Sequence, residues 1–189
     1  MKPTPWLTNV LFKLMRYLLD KNIVRYVLQG LLYGQVRPLS ALEFSSLSFL
    51  QLAERHQAQL FIIWASFRVL RQLQRFDEVH IFLDSVDTLF PTRYYVRWTR
   101  RLRESSGLSR EDAGMIALST FGTDETEHIL GTHYLVTYDQ AMINGYQHHH
   151  TTLHRRLTAM TRQLSSPYQQ ATLPRLITPD AFDESDPAF

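Results

Sequence analysis

Short apolar runs with no polar alternation are what most constrain this chain. Five of them, residues 15–19, 60–64, 79–83, 133–137 and 174–178, have strand length and are too short for core helices. A strand wetted on one face alternates apolar with polar residues, whereas one that is apolar on both sides must be covered on both. Between the runs the pattern becomes helical. Residues 21–29 follow the first run, and Gly30 reads as their stop. Ser40 and Glu43 form a capping box ahead of Leu47, Leu50 and Leu52. Residues 65–74 read as a short helix, and Pro91 opens a Tyr/Arg-rich helix to about Glu104. Ser109 opens a helix over 110–121, and a longer one runs from about Gln140 to Leu164, before the turn at 165–167. Strands that alternate with helices imply an α/β fold: a three-layer α/β/α sandwich around a mainly parallel five-stranded sheet.

A length of 189 residues suits one domain, and 44% apolar residues supply its core. Cysteine is absent, which excludes disulfides and thiolate metal sites and fits a reducing, cytoplasmic setting. No apolar run is long enough to span a membrane. The apolar stretch after Pro5 meets Lys13 and Arg16 and carries no small-residue cleavage site, so it does not read as a signal peptide. We expect an extension at 1–14, a domain at 15–182 and a disordered acidic tail at 183–189, with Met15 as an alternative start. The net charge of +2 does not by itself call for a polyanionic partner. Its distribution is uneven: Arg93, Arg97, Arg100, Arg101 and Arg103 cluster, while Asp180, Asp183, Glu184 and Asp186 close the chain.

Three aspartates occupy comparable places. Asp20 ends the first apolar run, Asp139 follows the fourth, and Asp112 sits in the first turn of the helix over 110–121. In doubly wound sheets ligands bind outside the carboxyl ends of strands. Acids gathered there repel unless a cation lies among them, and oxygen ligands suit Mg²⁺ or Mn²⁺. Such an ion can activate water against a phosphodiester. Each acid also has a plainer explanation. Asp20 and Asp139 can cap the helices that follow them, and Asp112 can join Ser109 in a capping box.

The segments MRYLLDKNIVRYVLQG, SREDAGMIALSTFG and HYLVTYDQAM resemble the first, third and fourth blocks of PIN domains, and LPRLITPDAF resembles their last strand. PIN domains are metal-dependent ribonucleases, many of them toxins of toxin–antitoxin pairs. The resemblance implies sheet order 3-2-1-4-5, with Asp20, Asp112 and Asp139 as catalytic, Mg²⁺-binding acids and Asn22 and Thr137 in support. It implies a Mg²⁺-dependent endonuclease for single-stranded RNA, with RNA, an antitoxin and a second copy of the chain as partners, and no membrane. The second block departs from the pattern: where PIN domains carry a glutamate, Gln72 stands here. Asp84, at the end of the third apolar run, would lie two strands from the first. A non-catalytic PIN module that binds RNA or protein therefore stays open as the alternative.

Two further features carry weaker signals. Arg93, Arg97, Arg100 and Arg101 interleave with Tyr94, Tyr95 and Trp98, so they form either a grip for single-stranded RNA or a solvated helix face. His150 and His154 stand one turn apart beside His148 and His149, yet no acid or cysteine accompanies them as a zinc site would need.

Overall fold

The computed structural model describes residues 15–181. The expected extension and the acidic tail lie outside the described residues. Within them the order is β1 (Arg16–Leu19), α1 (Lys21–Tyr33), α2 (Ala41–Arg55), β2 (Gln59–Ile63), α3 (Trp64–Arg71), α4 (Asp77–Asp84), β3 (Asp87–Pro91) and α5 (Tyr95–Ser106). There follow α6 (Arg110–Phe121), β4 (Gly122–Thr123), β5 (Tyr134–Val136), α7 (Gln140–Thr161) and β6 (Arg175–Ile177). Among the described residues no helix is long and apolar enough to cross a membrane.

The strands form one mixed sheet ordered β4-β3-β2-β1-β5-β6. Every ladder is parallel except the two-residue pairing of β4 with β3. Strand count and order thus differ from the expected five in order 3-2-1-4-5, because β4 adds an antiparallel edge beyond β3. The third strand also differs. Residues 79–83 belong to α4, and the strand is β3, eight positions later in its start. In α4 Val79, Phe82 and Leu83 are buried while His80 and Ile81 are exposed. That is a helical spacing, and Asp77 and Glu78 in the first turn favour the helix dipole. Asp84 accordingly ends a helix rather than a strand. Pro91 closes β3 instead of opening a helix, and α5 starts at Tyr95. Gly30 does not stop α1, which continues to Tyr33. A Cβ there would come within 2.6 Å of the Leu47 side chain, so the glycine lets α1 and α2 pack closely.

Successive strand residues feed two separate cores, as the pleat requires. Leu18, Phe61, Leu89, Leu135 and Leu176 pack with Trp98, Leu102, Ile116 and Leu153 from α5, α6 and α7. Tyr17, Leu19, Leu60, Ile62 and Val136 pack with Ile23, Val27, Phe49 and Phe82 from α1, α2 and α4. Helices therefore cover both faces of the sheet, and each fully buried Leu, Ile or Phe adds roughly 1.5–3 kcal/mol. From Ala113 to Phe121 every residue of α6 is buried, which fits a helix held against the sheet by others.

Candidate functional site

β1 and β5 are neighbours, with Leu19 opposite Val136, so the residues that leave their ends meet. Asp20 donates its N–H to Val136 O at 3.0 Å. The Thr137 hydroxyl donates to Asp20 Oδ2 at 2.9 Å and accepts the Asp139 N–H at 3.1 Å. Thr137 is 0% exposed and Asp20 6%, so these contacts lie out of water. The other Asp20 oxygen, Oδ1, accepts the Lys21 N–H at 2.7 Å and caps α1. Burial raises the Asp20 pKa above its ordinary value; Thr137, the Lys21 backbone and the Lys21 charge pull it down, and the Glu111 charge pushes it further up.

The three expected aspartates face different surroundings. Asp20 lines a cleft of about 740 Å³ at the ends of β1, β2 and β3. Asp139 lines a second cleft with Asn22, Arg25 and Tyr138, and its Oδ1 caps α7 by accepting the Met142 N–H at 2.9 Å. Asp112 lines neither cleft. It is half-buried in the first turn of α6, where Ser109 Oγ accepts its N–H at 3.1 Å. The acid that reaches the cleft with Asp20 is its neighbour Glu111, which forms an ion pair with the Lys21 ammonium. The hydrogen bond to Glu111 raises the Lys21 pKa, and the charges of Glu111, Asp20 and Asp112 add to it. Lys21 thus stands as the cation among these acids.

The donor set does not fit a divalent ion in this arrangement. Both Asp20 oxygens are engaged, Asp139 caps a helix, Glu111 holds an ammonium, and among the described residues no three His, Asp or Glu side chains group as an ion needs. Gln72 is the exposed C-cap that follows α3. The histidines of α7 meet neighbouring rings, His148 with His149, and His150 with both Tyr146 and His154.

The rest of the cleft is cationic and aromatic. Arg100 and Arg103 from α5 and Arg110 from α6 line it, together with Trp64 at the start of α3. Among the described residues the Arg103 and Arg110 side chains have no ion-pair or hydrogen-bond partner. Arg100 has a loose contact with Glu104, 3.7 Å away and largely exposed. The structure distributes the expected arginine grip over several surfaces. Arg93 precedes α5 and stacks over Tyr94 and Tyr168 at a third cleft, while Arg97 is exposed and lines none of the clefts described here. Arg101 is half-buried, its pKa lowered by burial and by the charges of Arg97, Arg100 and Arg156.

Sequence reasoning passed over Lys21, Glu111, Trp64 and Arg110. Glu111 and Asp112 are adjacent acids about 100° apart around a helix, so the angular setting of α6 decides which one meets Asp20. Trp64 carried a usable signal, an aromatic residue at the carboxyl end of a buried strand. No family model matches this chain, and neither does any curated protein or solved structure.

Proposed function

We propose that this protein is a PIN-like module that binds single-stranded RNA without cleaving it. The observation that carries the reading is the Lys21–Glu111 ion pair beside Asp20, because an ammonium already neutralises the acids that a catalytic ion would need. The cleft around that pair offers Arg100, Arg103 and Arg110 to phosphates and an exposed indole to bases, a combination suited to single strands. Asp20, Thr137 and Lys21 then serve to hold the floor of the cleft rather than to perform chemistry.

A second reading keeps the fold and makes the protein a Mg²⁺-dependent RNA endonuclease, the toxin of a toxin–antitoxin pair. It draws on the hydrogen-bonded chain from Asp20 through Thr137 to Asp139 at the strand ends. It requires Lys21 to release Glu111, and both side chains are more than half exposed.

A labelled single-stranded RNA separates the two readings. Binding with equal affinity in chelator and in Mg²⁺, with the RNA intact, supports the binding module. Mg²⁺-dependent cleavage that Asp20→Asn abolishes would overturn it in favour of the nuclease.

A further inference from the structure

We infer that the cleft beside Asp20 holds a nucleotide unit of a single strand, with a base stacked on Trp64 and the adjoining phosphates on Arg100, Arg103 and Arg110. This rests on the RNA-binding reading and gives it a specific subsite. Trp64 is the first residue of α3, 41% exposed, and lines the cleft at the end of β2. Its ring is not loose. Phe67 stacks against it at 5.4 Å and 26°, and Phe90 meets it at 5.5 Å and 40°. An indole backed by two rings and still open to the cleft is a pre-formed platform, and any base has a face to lay on it.

The charges select the rest of the ligand. The Arg103 and Arg110 guanidinium groups have no protein partner among the described residues, and that of Arg100 has the loose contact with Glu104. Guanidinium groups left unpaired beside a stacking platform match phosphates, whose oxygens they bind as planar forks. The acids in the cleft do not cancel them, since Glu111 is neutralised by Lys21 and Asp20 is buried on the floor. A purely apolar ligand would leave the arginines unanswered, and an inorganic anion would leave the indole uncovered. A nucleotide unit answers both.

Trp64 also supplies its own reporter. Trp98 is 0% exposed, so in a Trp6→Phe background the ligand-sensitive emission comes from Trp64. We expect short oligouridylate in chelator to quench that emission saturably, while inorganic phosphate leaves it unchanged. Trp64→Ala should weaken oligouridylate binding, read independently by anisotropy of a labelled strand, by roughly 5- to 100-fold, and Trp64→Phe should restore most of it. Paired Arg103→Ala and Arg110→Ala should weaken binding and flatten its dependence on salt, by about 0.7 in logarithmic slope for each phosphate that is no longer neutralised. Circular dichroism checks that each variant is folded, and Trp64→Phe keeps the Phe67 and Phe90 packing if Trp64→Ala disturbs it. Oligouridylate that binds wild type and Trp64→Ala equally would sink the subsite and leave the module reading intact. Absence of any binding would sink both, and Mg²⁺-dependent cleavage with Trp64-dependent affinity would sink only the non-cleaving reading.

Discussion

Thr137→Val replaces a hydroxyl with a methyl of nearly the same size, so it opens no cavity and isolates two hydrogen bonds. One is donated to the buried Asp20 carboxylate at 2.9 Å, the other accepted from the Asp139 N–H at 3.1 Å. A hydrogen bond to a charged group contributes about 1.5–3 kcal/mol and one between neutral groups about 0.5–1.5 kcal/mol. The combined loss is about 2–4.5 kcal/mol at neutral pH, or a fall in Tm on the order of 10 °C for a chain of this size. The loss should depend on pH. Thr137 favours the ionised form of Asp20, whose folded pKa burial already raises, so removing the hydroxyl raises that pKa further. A buried acid with a raised pKa is destabilising when ionised and harmless when protonated. The Asp20 part of the penalty is therefore full at pH above the folded pKa of the variant. It fades as pH falls through that pKa and then through the wild-type value, and leaves only the Asp139 N–H part. Urea denaturation of both proteins from neutral to acid pH measures the difference directly. A penalty that stays constant across that range would refute the argument, as would a variant as stable as wild type.

Three other substitutions test separate parts of the structure. Lys21→Ala breaks an exposed ion pair and should change stability by no more than about 1 kcal/mol in chelator, and Mg²⁺ should raise the Tm of neither protein, because no third acid joins Asp20 and Glu111 among the described residues; stabilisation of either protein by Mg²⁺ would count against the non-cleaving reading. Glu43 is held down from 4.5 to about 2 by the Arg37 side chain first and the Ser40 N–H second, so its stabilisation is full above pH 4.5 and lost as pH falls toward 2; denaturation of Glu43→Gln should show a deficit at neutral pH that closes over that window. Gly131 has φ +61°, and a Cβ there would come 2.8 Å from the Thr120 carbonyl oxygen, so Gly131→Ala should lose about 1–3 kcal/mol in urea denaturation.

What the sequence disclosed follows the physics of each signal. The buried strands β1, β2, β5 and β6 stood out because apolar residues on both faces leave little else for a short run to be. The capping box at Ser40 and Glu43 was legible for a similar reason, since both side chains act within one turn. The third strand was misplaced because residues 79–83 satisfy strand composition while their buried positions follow helical spacing. Strand β4 is two residues long and begins where α6 ends, so no pattern of its own announces it. Gly30 misled because a glycine required for close packing of α1 on α2 looks the same in sequence as one required at a helix end. At the site, Asp20 beside Thr137 followed from strand-end geometry. The Lys21–Glu111 pair did not, because it joins residues 90 positions apart through the setting of α6.

The charge of the cleft shows why a whole-chain average conceals a local field. The chain carries a formal +2, which alone argues for no particular partner. Within the cleft beside Asp20, two carboxylates stand against four cations, so a similar excess is concentrated in about 740 Å³. Charges across a space of that size lie within about one screening length of each other at physiological salt, and they act together rather than singly. Two features decide where that excess is felt. Burial raises the pKa of Asp20 and so favours its neutral form over that of an exposed carboxyl. Glu111 spends its charge on Lys21 and leaves the arginines uncompensated. The residue that follows a strand-end acid thereby decides what the edge attracts. A small neutral residue after Asp20 would free Glu111 to compensate an arginine and cut the excess to one, whereas Lys21 keeps the arginine walls turned toward anions.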